Sequence, residues 1–228
     1  MKKRFLYTLI ALFILIILGC IGCYIERFES ESPWCILLTT CVKRANASPE
    51  KTQELLNLYK RSIDLWLKTD LPIVVVDSSD YEFKEYNNTR LKVCRFMSKE
   101  TGSSSIAEAE SILYAMRCKH TQKYKNIIKI TGRYYIDGFN DILNGVGEHD
   151  LYVQHINNPV LEWQNSEIFG FNKKHASYIF KPIIDNAMAM EKRLWEVSHS
   201  NYKVFTFPPM ANVLKVVRGG DGLLVDPL

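Results

Sequence analysis

The sequence predicts an α/β domain with a mostly parallel central sheet and helices on both faces. Three observations carry this. Apolar, β-branched runs without polar alternation recur at 34–41 (WCILLTTC), 71–79 (LPIVVVDSS) and 127–130 (IIKI), as strands covered on both faces require. Segments with apolar residues at helical spacing separate them. Each apolar run then breaks into polar residues, and in open parallel sheets the carboxyl ends of the strands are where ligands bind.

Taken in order, Ser48-Pro49-Glu50 starts a helix with a capping hydroxyl, a first-turn proline and an acid at the positive end of the dipole. Leu55, Leu56, Tyr59, Ile63, Trp66 and Leu67 give it one apolar face to about Lys68. The strand at 71–79 ends at Asp77, and Leu91 to Phe96 (LKVCRF) reads as a short third strand. A second helix follows from TGSSSIAEAESILYAM, with Ser105 and Glu108 spaced as a capping box and Ile106, Ala109, Leu113 and Met116 on one face. The strand from Ile127 to Ile130 closes this half. Beyond it, DLYVQHI reads as a strand, SEIFGFNKKHASYIF as the approach to a helix, DNAMAMEKRLWEVSH as a helix, YKVFTF as a late strand and the glycine-rich tail as loop.

The N-terminus is different in kind. Lys2, Lys3 and Arg4 precede an uncharged run from Phe5 to Ile25, enough for the roughly 20 residues that cross a bilayer as a helix. The run is longer than the apolar part of a cleaved signal peptide and no small-x-small site follows it, so an uncleaved anchor is expected over residues 1–25. The cationic end belongs in the cytosol, which makes the chain a single-pass type II membrane protein with its domain on the lumenal or extracytoplasmic side. Ile17-Leu18-Gly19-Cys20 loosely resembles a lipoprotein box and offers acylation as the competing anchor. Residues 26–33 read as a stalk and 34–228 as the domain, with a nucleotide-binding half at 34–136 and an acceptor half at 137–228. Asn87-Asn88-Thr89 is a glycosylation acceptor in keeping with that placement, and Asn46-Ala47-Ser48, followed by Pro49, is a weaker one.

The formal net charge is +4, three of it from Lys2, Lys3 and Arg4. The nearly neutral remainder argues against nucleic acid as a partner. Cys20 and Cys23 fall in the apolar run, and His155 and His175 show no metal spacing. Cys35, Cys41, Cys94 and Cys118 read as buried thiols or, in an oxidising compartment, as one or two of three pairings.

The polar strand ends collect one kind of chemistry. Asp77 and the hydroxyls of Thr39, Thr40, Ser78 and Ser79 are acceptors for a ribose or a base. Gly102, Ser103 and Ser104 open a helix whose free N–H groups favour an anion. Lys129 and Arg133, with Thr131 and Gly132 between them, are placed to neutralise phosphate. The glycine-rich Arg218 segment is a candidate loop over phosphate. Each piece also has a plain structural reading as a turn, a cap or an ion pair. Together they point to a nucleotide diphosphate.

The order of pieces resembles a glycosyltransferase of the GT-A fold: a nucleotide-binding βα unit, an acid after the second strand, a glycine-rich turn into an Ala-rich helix (TGSSSIAEAESILYAM), then an apolar strand (IIKITGRYY) where the family carries its D-x-D metal motif. K-I-T-G-R-Y is also similar to glycosyltransferase-like proteins of algae, large DNA viruses and some bacteria. The resemblance implies a nucleotide-sugar donor, a glycan or glycoprotein acceptor, and a divalent ion such as Mn or Mg. Here Thr131-Gly132-Arg133 replaces D-x-D. Three readings stay open: Arg133 and Lys129 replace the metal, Asp137 or Asp141 ligates it, or catalysis is lost and the domain is a tethered module that binds a nucleotide sugar or glycan. The family's acceptor-side carboxylate implies Glu167 as base, with Asp150 and Glu191 as alternatives. Trp163 is either a sugar-stacking ring or a rim tryptophan.

Overall fold

The computed structural model describes residues 33–44, 47–87, 89–99, 102–155 and 157–210. The apolar run at 5–25 and Arg218 lie outside these residues. Among the described residues no helix is long and apolar enough to cross a membrane.

Strand β1 (Trp34–Thr40) is buried along its whole length and pairs in parallel with β2 (Ile73–Asp77) on one side and β4 (Asn126–Thr131) on the other. Helix α1 (Pro49–Trp66) joins β1 to β2, starting from Ser48, whose hydroxyl accepts from the Lys51 N–H. Strand β3 (Lys92–Arg95) pairs in parallel outside β2, and α2 (Ser104–Arg117) leads from it into β4. The cap of α2 is Ser103, not Ser105: Ser103 Oγ accepts from the Ile106 N–H at 3.3 Å, while Ser105 Oγ accepts from Met190 N. Glu108 is thereby released from capping.

The second half adds α3 (Phe139–Asn144), β5 (Leu151–Val153), a hairpin of β6 (Asn157–Asn158) and β7 (Trp163–Gln164), β8 (Ile168–Asn172), α4 (Ala176–Asp185), α5 (Met190–Ser198) and β9 (Val204–Thr206). The sheet order is β3-β2-β1-β4-β8-β5-β9. Strand β8 is antiparallel to both neighbours, and every other pairing in that sheet is parallel. The segment 166–180 does lead into a helix, α4 from Ala176, but its first part is a strand that the sequence did not show: IFGFN is fully buried and wedged between β4 and β5. Gly170 permits it, since a Cβ there would run into the Ile128 side chain and lie 3.1 Å from the Ile127 carbonyl. The helix expected from Asp185 starts only at Met190, after Ala187 takes a left-handed φ of 50°.

Alternation along the strands sorts the core into two layers. Ile36, Leu38, Val75, Ile128 and Ile130 face α1, meeting Tyr59, Ile63 and Trp66. Cys35, Leu37, Val74, Val76 and Ile127 face α2, α4 and α5, meeting Ile112, Phe180 and Leu194. Helices on both faces are therefore as expected.

Cys94 of β3 and Cys118, the C-cap of α2, are disulfide-bonded, with Cα atoms 6.4 Å apart, while Cys35 and Cys41 are free. Burial pushes the Cys35 thiol up to about 12. Replacing Cys94 and Cys118 together by Ser is expected to lower stability by about 2–4 kcal/mol, read as a fall in the urea midpoint. Reduction of the unaltered protein should reproduce the loss.

Candidate functional site

Because α1 carries the chain from β1 to β2 and β4 lies on the other side of β1, the carboxyl ends of β1 and β4 frame the switch point of the sheet. The turn after β4 is pinned there from three directions. Gly132 N donates to the Thr39 carbonyl at 2.8 Å, and Thr131 N to the Glu167 carbonyl at 2.9 Å. Ser62 Oγ and Trp66 Nε1, both on α1, donate to the Tyr134 carbonyl at 2.7 and 2.9 Å. Gly132 is required by closeness: a Cβ would stand 2.5 Å from Thr40 Cγ2 and 2.7 Å from the Thr39 carbonyl.

Asp77 does not face a ligand. Its Oδ1 accepts from Ser79 N, Ser79 Oγ and Tyr81 N, and its Oδ2 from Thr40 Oγ1 and Val42 N, all within 2.7–3.2 Å. Five donors saturate the carboxylate, which is fully buried. The expected acceptor for ribose or base is instead the brace that joins the loops after β1 and β2. Ser79 and Ser78 belong to the same brace: Ser79 Oγ accepts from Lys43 N, and Ser78 Oγ donates to the Thr40 carbonyl. Gly102 and Ser104 are exposed at the start of α2, beside the Ser103 cap.

Lys129, expected at the rim, is fully buried and its ammonium is used up. Nζ lies 2.7 Å from Glu108 Oε1, 3.0 Å from Thr131 Oγ1 and 2.7 Å from the Ser166 carbonyl, which accounts for all three of its protons. The Phe169 ring lies beneath it, 5.1 Å from Nζ. Thr39 Oγ1 donates to the same Glu108 oxygen at 3.0 Å. One buried ion pair thus joins α2, β1, β4 and the approach to β8. The spacing of Ser105 and Glu108 predicts a capping role for Glu108 instead. Its position one helical turn before buried Ile112 was the signal that it points inward.

Arg133 is different. It is 9% exposed, its Nε has no hydrogen-bond partner, and among the described residues no carboxylate forms an ion pair with it. Its guanidinium lies 5.2 Å from the Tyr134 ring. It lines a cleft of about 270 Å³ together with Thr131, Trp163, Asn165, Ser166, Glu167 and Glu191. Glu191 accepts from Ser166 Oγ at 2.6 Å. The Tyr59 hydroxyl is pushed above its ordinary value by burial, against the pull of Arg44, the Cys41 N–H and Arg133.

The remaining expectations divide. Glu167 and Glu191 line the cleft. Asp150 does not: it precedes β5, at the amino end of that strand, paired with His175 at 2.8 Å and accepting from Lys203 N. Asp137 accepts from Gly138 N ahead of α3, and neither it nor Asp141 lines the cleft. Among the described residues no three carboxylate, imidazole or thiol groups are gathered to hold a metal ion. Thr131-Gly132-Arg133 offers a cation and a hydroxyl already bonded to Lys129, so a divalent ion held as D-x-D holds it does not fit this turn.

No family model matches the chain, and no curated protein matches it in sequence. Solved structures do match in fold. The inositol-1-phosphate CTP transferase of T. maritima aligns with a TM-score of 0.55 at 14% identity, covering 79% of this chain and 86% of that one. The 4-diphosphocytidyl-2C-methyl-D-erythritol synthase of Anaerococcus prevotii aligns at 0.51 and 10% identity, over 82% and 94%. The glycosyltransferase GlyE of Streptococcus pneumoniae aligns at 0.52 and 8% identity, over 76% of this chain but only 44% of that one. The chain has the nucleotide-diphospho-sugar transferase fold, a GT-A-like architecture found in glycosyltransferases and nucleotidyltransferases alike.

Lys129→Met is expected to cost about 3–5 kcal/mol, because it strands the Glu108 carboxylate. Adding Glu108→Leu should restore most of the loss, and a urea double-mutant cycle measures the coupling.

Proposed function

We propose that the chain is a glycosyltransferase that takes its sugar from a nucleotide-diphosphate donor and uses Arg133 where D-x-D relatives use a metal. The observation that carries this is the buried Arg133 guanidinium, free of any carboxylate among the described residues, in the cleft at the switch point. A desolvated cation held by a pinned turn is a preorganised stabiliser for charge that develops on a leaving diphosphate. Glu167 accepts the proton of the acceptor hydroxyl as that oxygen attacks the anomeric carbon, and the bond from this carbon to the diphosphate oxygen breaks. Glu191, held by Ser166, stands in the same cleft as the second carboxylate. Lys129 acts at one remove, fixing Thr131 and Ser166.

The domain is placed on the extracytoplasmic side of a membrane, anchored by residues 5–25. The Cys94–Cys118 disulfide and the exposed Asn87 in its acceptor triplet support that placement. The acceptor is then a glycan or glycoprotein of that compartment.

A second reading, nucleotidyl transfer, has one observation in its favour: the two CTP-type neighbours align over 86% and 94% of their lengths. Against it, Thr40 to Ser48 contains no glycine, so side chains rather than bare backbone would have to cradle a triphosphate.

The test is a panel of UDP-, GDP- and CMP-sugars, with and without chelator, beside nucleoside triphosphates offered with sugar 1-phosphates. Glycosyl transfer that survives chelation is expected. Arg133→Ala should lower kcat/KM by about 10²–10³-fold, with Arg133→Lys intermediate. Pyrophosphate release from a triphosphate would establish the second reading instead. Donor binding without turnover would leave a binding module of the same fold.

A further inference from the structure

Trp163 has a use that the donor chemistry leaves open. It sits on β7 of a hairpin with a fixed backbone. Asn158 Oδ1 accepts from both Val160 N and Leu161 N at 3.1 Å, and Glu162 holds a left-handed φ of 51°. The next residue, Gln164, is buried, with Nε2 donating to the Gln154 carbonyl at 2.9 Å, and Gln154 Oε1 in turn accepts from Ile168 N. Strand alternation therefore turns Trp163 away from the core. Trp163 is 37% exposed and lines the cleft with Asn165, Glu167 and Glu191.

The other tryptophans are occupied. Trp34 meets Tyr152, Trp66 meets Tyr135 and Phe139, and Trp195 lies against His199. Among the described residues no ring or cation lies against Trp163. Keeping a half-bare indole on a rigid hairpin, beside two carboxylates and an amide, gives an apolar plane with a rim of hydrogen-bonding groups. A pyranose ring has the complementary form, with a face of C–H bonds and hydroxyls around its edge.

We infer that Trp163 is the platform of an acceptor subsite for a pyranose, whose ring stacks on the indole while its hydroxyls meet Glu167, Glu191 and Asn165. This rests on the proposed glycosyl transfer and names its acceptor: a sugar hydroxyl on a glycan, rather than an amino-acid side chain. The Trp163 hairpin follows β5, in the half of the chain away from the β1–β2 loops, which suits an acceptor better than the nucleobase of the donor.

The experiment is saturation-transfer NMR on the full chain with methyl glycosides of glucose, galactose, mannose and xylose, beside UMP and CMP. At least one glycoside should receive saturation on the protons of one ring face. Trp163→Ala should weaken that binding about tenfold, and Trp163→Phe should keep most of it. Glycoside binding untouched by Trp163→Ala, saturation of no glycoside, or a Trp163-dependent signal on the nucleobases alone overturns the subsite. Failure is separable from that of the reaction. Trp163-dependent glycoside binding without turnover keeps the subsite and removes the transfer. Turnover with an unaltered acceptor KM in Trp163→Ala does the reverse.

Discussion

The structure turns on the buried ion pair between Lys129 and Glu108. An ammonium in the middle of a sheet covered on both faces is costly unless each proton is spoken for, and here each one is. The partners come from α2, from Thr131 and from the backbone of Ser166, while Thr39 shares the carboxylate. The pair is less a source of stability than a fixture. It sets the height of Thr131, the approach to Glu167 and the lie of α2 relative to β1, so the cleft inherits its shape from a charge that never reaches it.

The division of labour among the cations follows from position. Lys129 stands two residues before the strand ends, where alternation directs its side chain into the layer of Phe169. Arg133 stands just past the end, on a turn held by the Thr39 carbonyl and by two donors from α1. The one is consumed by the protein, and the other has no carboxylate partner among the described residues. The cleft also holds Glu167 and Glu191, so its charge is divided between a guanidinium and two carboxylates.

Much of the first half was legible in the sequence. Unbroken apolar runs and helical spacing identified β1, α1, β2, α2 and β4, and the polar breaks located the rim of the sheet. The second half was harder for a physical reason. In IFGFN the glycine masks a strand, and the two-residue strands of the hairpin carry too little pattern to show periodicity. Within the site, sequence identified which segments meet but not where side chains point. Asp77, a carboxylate at a strand end, looks available to a ligand in the sequence. That five local donors claim it depends on the path of two loops, which residue spacing does not encode. Lys129 was misplaced for a simpler reason: a residue within a doubly covered strand has no rim to reach.

The two outer strands of the sheet carry a consequence of their own. Among the described residues β9 is three residues long and β3 four, and Lys92 and Arg95 of β3 are exposed charges. Unpaired backbone on an open sheet invites another chain to add itself, and brevity and charge both discourage this. Two copies brought close together therefore have little to zip, and the central sheet stays the size the chain made it.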